Sequence, residues 1–474
     1  MVLVIAGERS GAGKTTVTLA LLAALRRRGN RVQSFKVGPD YIDPMFHQYV
    51  TGRACRNLDS VLTSEDYVRT CFATHQQGVE CAIVEGVMGL FDGASGRNDT
   101  GSTAHIARLL DIPILLVVDC SRLSRSVAAI VHGYRTFDPR LQIAGVVLNR
   151  VGSDRHLQLL QDALEPLNLP ILGVLRRQEE ITIPDRHLGL VPTAELPHLD
   201  GLLDQLAHLT QTCFDWDALQ PLLASDPTHL VPPPQKPQPP TQKTRIAIAR
   251  DRAFSFYYAD NLDLLEQLGV QLVPWSPLAD PHLPDKIGGL YLGGGFPEVF
   301  ASQLAQNSTA RDAVRRFAEV GMPIYAECGG LMYLSERLVD FEGNSFEMAG
   351  VLPTTAVMGK RLTLGYRQAV ARQDSPAMAA GTTVWGHEFH RSHLTESPDS
   401  PLFEMRGYSP HSPIYTEGWQ RDRLHASYLH LHWGATPEIP ARFVRCCTKV
   451  APSMGIRNSE FGIQKRERGT GNRE

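Results

Sequence analysis

The fold of the first half of the chain is decided by the segment Val2-Leu-Val-Ile-Ala-Gly-Glu-Arg-Ser-Gly-Ala-Gly-Lys-Thr-Thr16. An apolar run leads into a glycine-rich loop, and residues with helical spacing follow the loop. Glycines let the backbone curl so that its N–H groups point at phosphate oxygens, while Lys14 reaches the terminal phosphates and Thr15 can hold Mg²⁺. The segment therefore predicts a strand, a phosphate-binding loop and a helix; a glycine-rich turn that binds nothing is the alternative interpretation.

Short apolar runs alternate with helical patterns along the rest of the chain. In the first half we predict strands at 2–6, 31–36, 81–85, 112–118, 143–148 and 171–175, and helices at 15–28 and 102–110. In the second half we predict strands at 245–249, 271–273, 289–292 and 323–325, and a helix at 257–268. Such alternation specifies mostly parallel sheets covered by helices on both faces. We therefore expect an α/β protein with two doubly wound domains.

A proline-rich stretch separates the two predicted domains. Residues 230–244 contain six prolines and no apolar periodicity, a composition that favours extended polyproline conformation. We interpret the stretch as a semi-rigid linker; a proline-rich ligand for a partner domain is the competing interpretation. The predicted domains are 1–229 and 245–445, and the polar residues 446–474 are expected to form a disordered tail.

Composition and charge exclude several classes of protein. The 474 residues include 47 Lys and Arg and 50 Asp and Glu, which gives a net charge of -3. This charge does not favour sequence-independent electrostatic binding to the phosphate backbone of nucleic acid. The apolar runs are too short to cross a bilayer, and the N-terminus lacks the basic region of a signal peptide. The eight cysteines include no C-x-x-C spacing, as in proteins of a reducing compartment. We expect a cytoplasmic protein that binds neither nucleic acid nor membranes.

Two acidic motifs follow predicted strands in the first half: Lys36-Val-Gly-Pro-Asp-Tyr-Ile-Asp-Pro-Met-Phe-His47 and Glu85-Gly-Val-Met-Gly-Leu-Phe-Asp-Gly93. Carboxylates at strand ends that face a phosphate loop are suited to hold Mg²⁺ or to position a carboxylate substrate through the metal. Helix caps and turns are the alternative interpretation, above all for Asp92. Asn149 ends another predicted strand and is a candidate for hydrogen bonding to a purine edge. The candidate nucleotide-binding residues are Gly11, Gly13, Lys14, Thr15, Thr16 and Asn149, the candidate metal ligands are Thr15, Asp43 and Glu85, and the candidate substrate contacts are Asp40, Asp43, Glu85 and Asp92.

The segment Pro323-Ile-Tyr-Ala-Glu-Cys-Gly-Gly-Leu-Met-Tyr333 has the pattern of a nucleophile elbow. A strand runs into a tight turn at Cys328, and the following helix N-terminus is expected to lower the pKa of the thiol. The backbone amides of Gly294, Gly295 and Gly329 are candidates for binding the oxyanion of a tetrahedral intermediate. A buried structural cysteine is the alternative interpretation.

A base for this thiol is available in Ala426-Ser-Tyr-Leu-His-Leu-His432. The segment is predicted to be a strand with His430 and His432 on one face. Spacing alone does not decide between the two histidines.

These motifs together resemble those of the cobyrinic acid a,c-diamide synthase family. The resemblance covers the chain from residue 2 to about residue 445, and it includes three more matches, Gly293-Gly-Gly-Phe-Pro-Glu298, Gly386-His-Glu-Phe-His390 and Tyr428-Leu-His430. It implies a P-loop NTPase-like domain of the dethiobiotin synthetase type, joined to a class I glutamine amidotransferase-like domain.

The resemblance also implies a reaction. Cys328 would release ammonia from glutamine with His430 as its base, and the first domain would use Mg-ATP to phosphorylate a corrin side-chain carboxylate that ammonia then attacks. Many class I amidotransferases have glutamate two residues after the histidine, where this chain has His432. We therefore expect a Cys–His dyad with slow glutamine hydrolysis, because nothing fixes the imidazole tautomer. The implied cofactors are ATP and Mg²⁺, and the implied partners are glutamine and a corrinoid carboxylic acid, with a homodimer as an open alternative.

Other functions are compatible with parts of this pattern. The same chemistry on hydrogenobyrinate or on nickel-sirohydrochlorin would use the same motifs, so the sequence does not choose among these tetrapyrroles. A ParA/MinD-like ATPase with an inert C-terminal domain is an alternative of a different class. Arg9, which stands where that class has its signature lysine, argues against it, as does the Cys328–His430 pair.

Overall fold

A seven-stranded parallel sheet forms the centre of the first domain. The computed structural model describes residues 2–177, 184–187, 189–223 and 244–449. The strands of this sheet are β1 (Val2–Gly7), β2 (Val32–Val37), β3 (Arg56–Leu58), β4 (Cys81–Glu85), β5 (Ile114–Asp119), β6 (Ile143–Val151) and β7 (Ile171–Arg176), in the spatial order β3-β2-β4-β1-β5-β6-β7. Most of these strands are buried on both faces, which is why they appear in the sequence as continuous apolar runs.

Helices cover both faces of this sheet. They are α1 (Lys14–Arg27), α2 (Ile42–Thr51), α3 (Glu65–His75), α4 (Thr103–Leu110), α5 (Ser126–Phe137), α6 (Asp154–Leu164), α7 (Leu199–Cys213) and α8 (Trp216–Leu223). A short hairpin, β8 (Asp185–Arg186) and β9 (Gly189–Leu190), precedes α7. Because all seven strands are parallel, the loops after them meet at one edge, and this edge carries the phosphate loop and both acidic motifs.

The second domain also has a mainly parallel sheet. Its strands are β10 (Thr244–Ala249), β11 (Val270–Trp275), β12 (Gly289–Leu292), β13 (Ile324–Glu327), β20 (Trp419–Arg421) and β21 (Leu424–Ser427), in the order β11-β10-β12-β13-β21-β20, with only β20 antiparallel to its neighbour. The helices are α9 (Ala259–Gln267), α10 (Ala301–Gln306), α11 (Ser308–Glu319), α12 (Gly329–Leu334) and α13 (Glu438–Thr448). The prediction of an α/β protein with two such domains is confirmed.

A further, mostly antiparallel sheet in the second domain was not predicted. It consists of β14 (Ser335–Val339), β15 (Ser345–Glu347), β16 (Leu352–Ala371), β17 (Thr383–Leu394), β18 (Phe403–Gly407) and β19 (Ile414–Glu417). Much of β16 is half-exposed, and a bulge between Met358 and Thr363 interrupts its pairing with β17. Strands of this kind lack the continuous apolar run by which the buried parallel strands are recognised.

The predicted domain boundaries need one correction. Helix α13 continues to Thr448 and so crosses the predicted boundary at residue 445. Phe443, Val444 and Cys447 belong to the buried core of the second domain, and burial of this apolar face holds the helix in place. The predicted linker 230–244 lies outside the described residues except for Thr244, which begins β10, and residues 450–474 of the predicted tail also lie outside them.

Two observations bear on the expected environment of the chain. No helix in the described ranges has the length and hydrophobicity needed to traverse a bilayer. All eight cysteines are unpaired thiols.

Polar contacts join the two domains. The Tyr67 hydroxyl of α3 donates to Asp260 of α9 at 3.0 Å, and Arg56 lies 2.7 Å from Asp263. The Tyr366 hydroxyl of β16 donates to Asp59 at 2.9 Å. These contacts hold the edge of the first sheet against the second domain, so the candidate sites of both domains face each other.

Candidate active sites

The phosphate loop connects β1 to α1 in a conformation that requires glycine. Gly11 and Gly13 have φ angles of 75° and 102°, a left-handed region that other residues rarely adopt, and Gly13 caps the N-terminus of α1. Lys14 donates to the carbonyls of Arg9 and Met88, which holds its side chain across the loop. Burial and, to a smaller extent, repulsion from Lys36 lower the pKa of Lys14 to about 8. The loop thus has the geometry of an anion site.

Asn149, on β6, contacts the phosphate loop, and its hydrogen bonding to a purine edge stays a prediction. Its Nδ2 donates to the Ala12 carbonyl at 2.8 Å, and its Oδ1 accepts the N–H of Arg150 at 2.9 Å. Both polar atoms of the amide are therefore engaged within the protein. Thr16 lies in the first turn of α1 beside the loop.

The predicted acidic residues Asp40, Asp43 and Glu85 lie together at the edge of the sheet, and we call them the carboxylate cluster. The Thr15 hydroxyl donates to Glu85 at 2.6 Å and lies 3.5 Å from Asp43. The Lys36 ammonium lies 2.7 Å from Asp43, 3.0 Å from Glu85 and 3.9 Å from Asp40. The carboxylates come from the end of β4, the first turn of α2 and the residues before it, which explains how distant motifs converge.

Two residues of this site were missed from the sequence. Lys36 is buried at the end of β2; burial acts to lower its pKa, but Asp43 and Glu85 raise it overall. His47 lies 2.6 Å from Glu85; burial again opposes the charge, but Cys55 and Glu85 raise the pKa of His47 to about 10. A lysine that ends an apolar strand was the available signal for Lys36, and His47 offered no comparable signal.

The carboxylate cluster fits a magnesium ion by its chemistry. Thr15, Asp43 and Glu85 offer three converging oxygen atoms, the ligand type that Mg²⁺ prefers. Thr15 also lies in the first turn of the helix that follows the phosphate loop, where the hydroxyl ligand is found in nucleotide sites of this kind. Lys36 forms ion pairs with Asp43 and Glu85, so a metal ion bound there would compete with the Lys36 ammonium for these two carboxylates.

Asp92 is placed differently from the carboxylate cluster. It is exposed and accepts the N–H of Gly89 at 2.9 Å, which is the arrangement of a turn residue. Its assignment as a substrate contact stays a prediction.

Cys328 occupies a strained turn between β13 and α12. Its φ and ψ angles are 44° and -99°, and its N–H donates to the Ser427 carbonyl at 2.8 Å. A non-glycine residue with positive φ is costly and is typical of a nucleophile elbow. Burial, followed by the charge of Glu298, raises the pKa of the Cys328 thiol, although the N–H of Gly329 acts in the opposite direction. The N–H of Gly329, at the N-terminus of α12, thus acts in the expected direction, but burial outweighs it and the net pKa of the thiol is raised.

The three glycines predicted to bind an oxyanion are brought together beside this turn. A β-carbon on Gly329 would stand 3.0 Å from the Gly295 nitrogen, and one on Gly294 would stand 2.6 Å from Cε1 of His430. A side chain at Gly294 would therefore require the His430 ring to move, and one at Gly329 would require its neighbours to shift by a few tenths of an ångström. The loop of residues 293–298, which we call the glycine loop, thus packs directly on the nucleophile turn and on one histidine.

The structure distinguishes His430 from His432, between which the spacing in the sequence does not decide. Strand β21 ends at Ser427, so the predicted strand through 432 with both side chains on one face is wrong. His430 exchanges two backbone hydrogen bonds of 2.9 Å with His387, and its ring lies against the glycine loop. The His432 ring lies at the domain interface, with Nε2 3.8 Å from Asp260. His430 is therefore the histidine beside the nucleophile turn.

Tyr41, between the carboxylates Asp40 and Asp43, connects the two candidate sites. Its ring centroid lies 5.2 Å from that of His430, 5.2 Å from Phe256 and 4.6 Å from Tyr258. The ring is buried, so a residue of the acidic motif packs directly on the histidine of the other domain. An aromatic residue inside a polar motif was the only sequence signal for this contact.

Comparison with known proteins assigns both domains. Residues 3–191 match the CobQ/CobB/MinD/ParA nucleotide binding domain, and residues 245–438 match the CobB/CobQ-like glutamine amidotransferase domain. A Synechococcus protein named cobyrinate a,c-diamide synthase is 60% identical over 451 residues, which cover 94% of this chain and 98% of that protein. A Synechocystis protein of the same name is 54% identical, with 94% and 93% covered. A Streptomyces coelicolor protein named hydrogenobyrinate a,c-diamide synthase is 44% identical, with 94% and 97% covered.

Proposed function

Because the chain belongs to the cobyrinate a,c-diamide synthase family, we propose that it uses ATP and glutamine to convert the a and c carboxylate side chains of cobyrinate to amides. The observation that carries the proposal is the adjacency of two unlike sites. His430, beside the strained cysteine turn of one domain, packs on Tyr41, which lies between two residues of the carboxylate cluster in the other domain. Such a pair fits a reaction that releases ammonia at one site and consumes it at the other.

In the glutamine site, Cys328 is the proposed nucleophile. His430 takes the thiol proton as sulfur attacks the side-chain amide carbon of glutamine, and it returns that proton to the departing ammonia. The N–H groups of Gly295 and Gly329 are the proposed donors to the oxyanion that forms during the attack. Burial raises the pKa of the Cys328 thiol in the free protein, so the attack needs a base to take the thiol proton, and His430 is the proposed base.

In the synthetase site, the chain must make a carboxylate reactive toward ammonia. A carboxylate would have to expel oxide, whereas an acyl phosphate expels phosphate, so we propose activation by phosphoryl transfer from ATP. The phosphate loop and Lys14 bind the nucleotide phosphates. Thr15, Asp43 and Glu85 are the residues that would hold Mg²⁺, which when bound neutralises phosphate charge. Asp40 is the proposed contact to the ring acid, since it is the most exposed carboxylate of the cluster.

Hydrogenobyrinate is a second candidate substrate. The Streptomyces coelicolor relative carries that name at 44% identity over nearly the whole chain. The more similar cyanobacterial relatives are named for cobyrinate, and we rank cobyrinate first for this reason. Relatives with both domains are named synthases, which argues against a ParA/MinD-like ATPase with an inert second domain. We also propose a cytoplasmic location, supported by eight unpaired thiols.

The test is a coupled assay with Mg-ATP, glutamine or ammonia, and a panel that contains cobyrinate and hydrogenobyrinate. Mass spectrometry identifies the acid that acquires amides and the number it acquires. We expect cobyrinate to acquire two amides. Cys328→Ala should abolish the glutamine-dependent reaction and keep the ammonia-dependent one, whereas Lys14→Ala should abolish both. Wild-type protein that amidates no ring acid would refute the proposal.

A further inference from the structure

We propose that Glu327 positions His430 in the glutamine site and supplies the carboxylate that residue 432 does not. The inference rests on the proposed glutamine hydrolysis and deepens it. It also replaces the expectation of an unsupported Cys–His dyad, because the carboxylate comes from the strand before the nucleophile instead of from the segment after the histidine.

Glu327 is held rigidly next to the nucleophile. It is the last residue of β13, immediately before Cys328, and only 2% of its surface is exposed. Its Oε1 accepts the Tyr325 hydroxyl at 2.7 Å and the N–H of Leu431 at 3.2 Å. Since Leu431 follows His430 directly, the same carboxylate also fixes the backbone that carries the imidazole.

The free oxygen of Glu327 faces the histidine. Oε2 lies 3.7 Å from Nδ1 of His430, and this Nδ1 is buried with no hydrogen-bond partner within the described parts of the chain. The separation is an ion-pair distance and exceeds a hydrogen bond. A closure of less than about 1 Å would form the hydrogen bond, and catalytic hydrogen bonds are often this long before substrate binds.

Other groups around His430 do not perform this task. His387 of β17 faces it, but burial and the neighbouring His430 lower the pKa of His387 to about 3, so His387 is neutral. Tyr41 contacts the ring through its aromatic face. Cys328 is the proposed proton donor. Glu327 is therefore the carboxylate available to Nδ1.

This arrangement selects the useful tautomer. With its proton on Nδ1 and directed at Glu327, His430 presents an unprotonated Nε2 that accepts the proton of Cys328. The imidazolium formed is then stabilised by the carboxylate of Glu327. The proton leaves His430 with ammonia, so Glu327 neither gains nor loses one in the cycle.

The chain contains a matched control for this pair. His432 and Asp260 form a second buried histidine–carboxylate pair at 3.8 Å, but it lies at the domain interface. Glu327→Gln and Asp260→Asn each remove one charge from such a pair and keep the size of the side chain. The two variants therefore separate a role in glutamine hydrolysis from a general effect of removing a buried charge.

The experiment measures kcat and KM for glutamine hydrolysis from pH 5 to pH 10, together with ammonia-dependent amidation. For Glu327→Gln we expect kcat to fall roughly 10- to 100-fold with little change in KM, and ammonia-dependent amidation to persist. The acid limb of the pH profile should move to lower pH, because the positively charged imidazolium loses the carboxylate that stabilises it. Glu327→Asp should recover part of the rate, and Asp260→Asn should keep the wild-type pH profile.

Three outcomes would overturn the inference. They are a wild-type rate and pH profile in Glu327→Gln, a parallel loss of glutamine- and ammonia-dependent activity, or the same pH shift in Asp260→Asn. If Glu327→Gln does not fold, Tyr325→Phe removes the hydroxyl that anchors Oε1 and keeps the charge. We then expect kcat to fall by roughly 3- to 10-fold, and an unchanged kcat would refute the role. Absence of glutamine hydrolysis in the wild-type protein would instead refute the proposed function.

Discussion

The substitution Lys36→Met tests whether the buried ammonium is what allows three carboxylates to lie together. Methionine keeps an unbranched chain of similar length and removes the charge. Lys36 lies 2.7 Å from Asp43 and 3.0 Å from Glu85. At an effective dielectric constant of about 20, each contact carries roughly 6 kcal/mol of Coulomb attraction. Desolvation opposes most of it, and loss of one partner from a buried pair costs about 3–5 kcal/mol.

Differential scanning calorimetry measures the effect. For a domain of this size 1 kcal/mol corresponds to roughly 2–4 °C, so we expect the unfolding midpoint of the first domain to fall by roughly 6–20 °C. Arg97→Met is the control, because it removes an exposed positive charge from the same domain. Its effect should stay within about 0.5 kcal/mol.

Magnesium should distinguish the variant from the wild-type protein. With Lys36 absent, the ion no longer competes with the Lys36 ammonium for Asp43 and Glu85, so Mg²⁺ should raise the midpoint of Lys36→Met more than that of the wild type. At 100 times its dissociation constant a ligand adds about 2.7 kcal/mol. A loss of about 1 kcal/mol would already lower the midpoint by roughly 2 °C. A smaller change in Lys36→Met would therefore refute the claim that the Lys36 charge stabilises the carboxylate cluster. An equal response of both proteins to Mg²⁺ would refute the metal assignment.

Three further changes test other parts of the structure. Tyr41→Ala removes the ring between the two sites, so we expect roughly 10-fold more glutamine hydrolysed per amide formed, and an unchanged ratio of glutamate to amide would contradict the contact's role. Gly294→Ala puts a methyl group 2.6 Å from Cε1 of His430 and should lower glutamine hydrolysis by roughly 100-fold while ammonia-dependent amidation persists; equal rates from both nitrogen sources would show that the ring tolerates the methyl group. Burial raises the pKa of Glu417 to about 8, so its contribution to stability is complete below about pH 4.5 and is lost as the pH rises toward 8. Glu417→Gln has no such proton to lose and should gain thermal stability relative to wild type across this range, whereas a difference that does not change with pH would contradict the pKa shift.

The parallel sheets were largely predictable from the sequence because their strands are buried on both faces. The predicted bounds of β4 and β12 agree with the structure, since both are unbroken apolar runs between polar turns. Strands β16 and β17 were not predicted, because several of their buried positions carry polar residues, such as Thr354, Glu388 and Ser392, and these hide the alternation. Half-exposed strands with a bulge give no clear period of two.

The candidate sites were predictable only in part, because motifs reveal residue types and not their partners. The glycines, Lys14, Cys328 and the acidic motifs stand at strand ends, where their chemistry can be inferred locally. Glu327 is paired with a histidine more than 100 positions further along the chain, and no local pattern indicates such a pair. The thiol pKa was misjudged for a related reason, since the burial that raises it comes from packing of distant segments.

The contact between Tyr41 and His430 limits how the two halves can be recombined. If the glutaminase domain were fused to a different synthetase domain, the imidazole of His430 would lose the ring that covers it. The new synthetase domain would need an aromatic side chain in the position of Tyr41 to cover it again. A chimera that exchanges the first domain should therefore keep the segment around Tyr41 that matches its second domain, the domain that contains Cys328 and His430. The junction between the two parent sequences in such a chimera belongs within the acidic motif that contains Tyr41, and not only at the proline-rich stretch between the domains.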